Sequence, residues 1–252
     1  MSVLVKFDPA FTEDAVFLTI KTHEKHGDYL PVQSFNAQKD LLYEKGSDEK
    51  AFREFYENYF QKLGLGVMFE NALLECVILK DSGARISVRR VFSRRHEGSE
   101  LYVDGNSKTV LLSVRPERLA EPEVLKKFLY HELLRVSDML DPAFEYSPRA
   151  PLEGVNDAEN ELIRERFSAL WNRSIRLRLD RNVGSSKRIP EWTQKELIEM
   201  ARDGIREKNN HGGGFICPLC GFPSFDRAPS MDSCRQCFEM GQVLGASFDG
   251  RK

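Results

Sequence analysis

The chain has 252 residues, 41% of them apolar and 30% charged, which is enough to bury a sizeable core and to leave room for a second, small domain. Thirty-seven basic against 39 acidic residues give a formal net charge of -2 and a pI near 6.3, so no global field draws the chain to nucleic acid or to an anionic membrane, and such binding would need local patches. No run approaches the roughly 18 apolar residues of a membrane span, and the opening MSVLVKFDPAF lacks the pattern of a secretory leader; the expectation is a cytoplasmic protein with no membrane partner.

In chain order, Val3 to Phe7 and Ala15 to Ile20 read as short strands, their pairing left open by Pro9 and the acidic turn at Asp14. In THEKHG, His23 and His26 flank Glu24, but this is not the i, i+4 spacing of a helical metal pair, and both are expected to face solvent. From Asp48 to Leu63, the residues Phe52, Phe55, Tyr56, Tyr59 and Phe60 recur at helical spacing as a core-facing stripe that ends at Gly64 and Gly66. A second apolar helix is expected from Met68 to Leu79, with Cys76 as a small buried side chain. Strands follow at Ile86 to Phe92, Leu101 to Val103 and Thr109 to Val114, with DGNS (104 to 107) as the turn of a hairpin between the last two. They are expected to feed directly into a helix.

That helix contains FLYHELLRVSDMLDP, residues 128 to 142, with Pro122 suited to its first turn and Pro142 to its end. Counting about 100° per residue, Leu125, Phe128, Leu129, Leu133, Val136, Met139 and Leu140 share one apolar arc, and Glu132 falls inside it. A carboxylate there needs a buried partner or a chemical role, and desolvation would raise its pKa towards that of a general base. His131 lies at the edge of the arc, in line with Arg135 and Asp138. In a zinc peptidase helix of the HExxH type, two histidines one turn apart grip the metal and the glutamate activates its water. Here the second place holds Arg135, which cannot ligate a cation and stays charged. Asp138 cannot replace it, since seven residues of helix rise about 10 Å. The plainer reading pairs Arg135 with Glu132 and Asp138 one turn away.

The stretch HELLRVSDMLDPAFEY, with the preceding strand hairpin and the later NDAENELIRERFSALWN, resembles a group of uncharacterised bacterial zincin-like proteins whose active-site helix reads HELxHxxDMLDPxF. The likeness covers roughly residues 50 to 180. It implies an α+β fold, a zincin-like core with a small antiparallel sheet and packed helices. It also implies His131 as a metal ligand and Glu132 as catalytic base, with Arg135 departing at the second ligand. A third ligand would come from a following helix. Asn156 reads as its N-cap, and Glu159 lies beside its apolar face of Ile163, Phe167, Leu170 and Trp171; Glu159 is either a capping-box carboxylate or a tentative ligand of this second zinc site.

Near the C-terminus, Cys217-Pro-Leu-Cys220-Gly and Cys234-Arg-Gln-Cys237 are separated by thirteen residues. Two such CxxC knuckles supply four thiolates to one structural zinc, and about 40 residues with so few apolar side chains would need that metal to fold. The run Asn209 to Gly214 reads as a linker. The expected domains are therefore 1–209, zincin-like, and 210–252, a zinc ribbon, a layout analogous to SprT-like proteins. Two basic stretches, Arg85, Arg89, Arg90, Arg94 and Arg95, then Arg173, Arg176, Arg178, Arg181, Lys187 and Arg188, are either solvated faces or phosphate contacts. The sequence thus points to a metallopeptidase-like hydrolase impaired at Arg135, acting on a peptide. The alternatives are a zinc-ribbon adaptor for a protein partner and a nucleic-acid-binding protein.

Overall fold

In the computed structural model the described residues are 5–46, 48–148, 150, 152, 154–181 and 191–206, with 215, 216, 223, 224, 237 and 240. They belong to two compact units, Met1–Val136 and Ser137–Lys252. No described helix is long and apolar enough to cross a membrane.

The first unit opens with strand β1 (Val5–Phe7) and turns at once into helix α1 (Pro9–Lys25), because the Asp8 side chain accepts a hydrogen bond from the Ala10 amide and Pro9 stands at the first helical position. The strand expected over Ala15 to Ile20 is therefore helix: Phe11, Ala15, Val16 and Ile20 are buried at helical spacing, and the contiguous apolar run AVFLTI hides that period. Helices α2 (Tyr29–Glu44) and α3 (Glu49–Lys62) follow, the latter capped by Asp48, whose side chain accepts from the Ala51 amide. The expected Met68 to Leu79 helix is two, α4 (Val67–Leu74) and α5 (Val77–Asp81), broken at Glu75 and Cys76; Cys76 is buried as expected but caps α5. Phe7, Phe11, Phe60 and Phe69 form one aromatic cluster, with ring centroids 4.7 to 6.2 Å apart, that joins β1 and α1 to α3 and α4.

Strands β2 (Arg85–Arg90), β3 (Gly98–Asp104) and β4 (Ser107–Val114) complete a four-stranded sheet in the order β1-β2-β4-β3. The α+β class holds, but the sheet is mixed rather than antiparallel. β1 runs parallel to β2 and β2 parallel to β4, while β3 alone is antiparallel to its neighbour. The cause is the place of β3 at the outer edge: the hairpin returns β4 against β2, where Val110 and Leu112 stack beside Ile86 and Val88, all at most 1% exposed. The hairpin turn is the predicted one. Asp104 pairs with Ser107 around Gly105, whose φ of +55° a residue with a Cβ rarely adopts. A 3-10 turn at Pro116–Ala120 then separates the sheet from helix α6 (Pro122–Leu140), where a direct passage was expected.

Helix α6 crosses the division between the units. Leu125, Leu129, Leu133 and Val136 are fully buried along one face, each worth about 1.5–3 kcal/mol relative to exposure. In the second unit, helix α7 (Asp157–Arg181) starts at Asn156, whose side chain accepts from the Glu159 amide, and helix α8 (Gln194–Arg206) starts at a reciprocal Thr193–Glu196 capping box. Two short strands, β5 (Phe215–Ile216) and β6 (Pro223–Ser224), pair antiparallel. The expected boundary at residues 209 and 210 lies outside the described residues.

Candidate functional site

The apolar arc of α6 turns Glu132 inward, as its phase in the sequence requires, and leaves the residue 6% exposed. Both carboxylate oxygens are engaged. The Ser99 hydroxyl donates to Oε2 at 2.7 Å, and His131 Nδ1 lies 3.0 Å from Oε1. An ionised carboxylate only accepts, so Nδ1 carries the proton of this pair. Burial pushes the Glu132 carboxyl up, but hydrogen bonds from His131 and Ser99, with the charges of His131 and Arg135, outweigh it and hold the pKa below the ordinary glutamate value. This corrects the expectation of a raised pKa: the partners that make burial tolerable also favour the charged form. His131 Nε2 is buried with no hydrogen-bond partner among the described residues.

Three consecutive residues at the start of β3 hold this corner together. Ser99 reaches back to Glu132, donating to its carboxylate and lying 3.3 Å from its backbone carbonyl. Gly98 has φ +153°, and a Cβ there would lie 3.8 Å from Glu132 Oε2. The Glu97 side chain, 3% exposed, accepts two bonds from Arg118, at 2.6 Å from Nε and 2.8 Å from Nη2, and pairs with Arg115 at 3.3 Å. Burial acts to raise the Glu97 pKa, but Arg118 and Arg115 lower it by more, and it lies below the usual carboxylate range. The Arg118 guanidinium also lies over the Phe128 ring, 4.4 Å from its centre, which ties the 3-10 turn to α6. Sequence reasoning missed Ser99, Glu97 and Arg118. The φ requirement at Gly98 is the one local signal that this strand start is special.

Arg135, at the second-ligand place of an HExxH helix, lines a cleft of about 560 Å³ bounded by the end of β2, the loop after it and the start of β3. Of the first basic stretch, Arg89, Arg90 and Arg95 line the same cleft. Arg89 pairs with Glu100 and donates to Ser113, and Arg90 pairs with Asp14; Arg85 and Arg94 are exposed. His23 is half-buried, 2.9 Å from Asp28, whereas His26 is exposed as expected.

In the second unit Asp138 is 1% exposed and takes two bonds from Arg178, at 2.8 and 2.5 Å, and one from Trp171 Nε1 at 2.8 Å. Arg178, read from sequence as part of a basic stretch, is thus a buried structural partner, and Asp138 is committed to it rather than to Arg135. Within that stretch Arg176 is exposed, while Lys187 and Arg188 lie outside the described residues. Glu159 sits in the first turn of α7, half-buried, with its amide capped by Asn156. Of the four cysteines expected to form a ribbon, Cys237 is buried; Cys217, Cys220 and Cys234 lie outside the described residues.

Around His131, Nε2 has no hydrogen-bond partner among the described residues, Glu132 is engaged by Ser99 and His131, and the next turn presents the Arg135 guanidinium. Among the described residues no group of three or more His, Cys, Asp or Glu side chains is placed to hold a metal ion. Comparison with family models, with curated proteins and with solved structures finds no match to this chain.

Proposed function

We propose that the chain is a zincin-like relative whose peptidase centre has been converted into a fixed polar cluster, and that it acts by binding, with a structural zinc held by Cys217, Cys220, Cys234 and Cys237. The observation that carries the first part is the Glu132 carboxylate. A general base must be within reach of a reacting proton and have a pKa near working pH, whereas both oxygens of Glu132 are occupied and its pKa is lowered. Arg135 supplies beside it the positive charge that a metal would supply in an active relative.

The ribbon reading is supported by the spacing of the cysteines and by the β5–β6 pair. Ile216 pairs with Pro223 in antiparallel register, and in the sequence these two strands flank the first CxxC, Cys217 and Cys220. Cys237, from the second pair, is buried.

The test is Arg135→His in the full chain. If the scaffold descends from a zinc peptidase, restoring imidazole at this position raises zinc content above the wild-type value, and wild type hydrolyses neither denatured protein nor fluorogenic peptides with zinc added. Unchanged zinc content in the variant, or peptide hydrolysis by wild type that Glu132→Gln abolishes, would reject the reading.

A further inference from the structure

The cleft beside Glu132 has a chemistry of its own. At about 560 Å³ it has the size of a small-molecule site. Arg89, Arg90, Arg95 and Arg135 line it together with only two carboxylates, Glu97 and Glu100, so four positive charges against two negative leave a formal excess of +2. Both carboxylates are already engaged, Glu97 by Arg115 and Arg118, which stand outside the lining, and Glu100 by Arg89 and Tyr102. Guanidinium groups in a partly enclosed space attract a compact anion with several acceptor oxygens, and their planar forks match phosphate.

A second feature narrows the class. Phe92, 80% exposed, lines the same cleft, and the Arg90 guanidinium lies 4.7 Å from its ring centre. Arg90 is itself held by Asp14 at 2.8 Å, so the ring is backed by an anchored cation. An aromatic face beside several guanidiniums suits a ligand with a planar base next to a phosphate.

We propose that this cleft is a nucleoside phosphate site, with Arg95 and Arg135 taking the phosphate oxygens and Phe92 stacking on the base. The place where an HExxH helix would present its second metal ligand then faces an anion instead of holding a cation. The inference stands apart from the zinc-ribbon reading. It also holds whether the phosphate belongs to a free nucleotide or to a single-stranded nucleic acid.

The experiment is calorimetric titration of the full chain with adenosine 5′-monophosphate, adenosine, inorganic phosphate and a short single-stranded oligonucleotide. The nucleotide is expected to bind at least about tenfold more tightly than adenosine, and Arg95→Gln and Arg135→Gln each to weaken it by about tenfold, the loss typical of a charge-assisted hydrogen bond. Phe92→Ala should weaken the nucleotide while leaving inorganic phosphate unchanged. Arg94→Gln, next to Arg95 but outside the lining, should leave the nucleotide unchanged. Arg95 is exposed, so its replacement tests the site without endangering the fold. Oligonucleotide binding that falls with the same variants would assign the phosphate to a nucleic acid chain; binding of the mononucleotide alone would assign it to a free nucleotide. Equal binding of adenosine and its monophosphate, equal effects of Arg94→Gln and Arg95→Gln, or no binding of any probe would overturn the proposal.

Discussion

Glu97 and Glu132 are held differently: one is clamped by guanidiniums, the other by a hydroxyl and an imidazole. Replacing Glu97 with Gln leaves Arg115 and Arg118 without their counter-charge, and the expected loss at neutral pH is about 1.5–3 kcal/mol, measured by urea unfolding. Because the folded pKa of Glu97 is depressed, its stabilising effect is present above the ordinary glutamate value of about 4.3 and is lost as pH falls through the lower folded value. The stability gap between wild type and Glu97→Gln should therefore be full at pH 7 and close progressively below about pH 4. A gap that is constant with pH would show that the clamp does not depend on charge. Ser99→Ala removes one of the two donors to Glu132 and should cost about 1–3 kcal/mol, a value that thermal or urea unfolding reads directly. The inward position of Glu132 was legible in the sequence, because helical phase alone sets it. Its partner was not: Ser99 lies 33 positions away, and nothing local to a strand serine marks such a contact.

At the scale of elements, α6 carries most of the polar chemistry, and its second buried carboxylate has the larger energetic consequence. Asp138→Asn removes the carboxylate that accepts two bonds from the buried Arg178 guanidinium, with an expected loss of about 3–5 kcal/mol; adding Arg178→Met should recover part of it, since breaking a buried pair costs more than replacing both of its members. Additive losses in the double variant would contradict a direct charge pair. Gly98→Ala tests the start of β3: a Cβ there would meet Glu132 Oε2 at 3.8 Å, an ordinary contact, so the expected cost of about 1–3 kcal/mol comes from φ +153°. Helix starts were legible at Asn156, read as an N-cap, and at Pro122, suited to a first turn. Ala15 to Ile20 was not, because a contiguous apolar run has no visible period and Asp8 with Pro9 outweighed it. Sheet direction was hidden as well. The β1–β2 pairing joins Val5 to Ile86 across five helices, and the place of β3 outside β4 depends on which apolar strand best covers β2.

For the whole molecule, the proposed zinc on Cys217, Cys220, Cys234 and Cys237 is independent of helix α6, where Arg135 stands one turn after His131. The proposal of a ribbon zinc rests on the CxxC spacing, and Arg135 is visible in the sequence at the second-ligand place; the occupied oxygens of Glu132 add what spacing cannot show. The most direct measurement is zinc per chain, by elemental analysis of the full-length protein, of His131→Ala and of the paired variant Cys217→Ser with Cys220→Ser. The account predicts one zinc in wild type, one in His131→Ala, and none in the cysteine variant. Two zincs in wild type, with one lost in His131→Ala, would contradict it and restore a metal centre on α6.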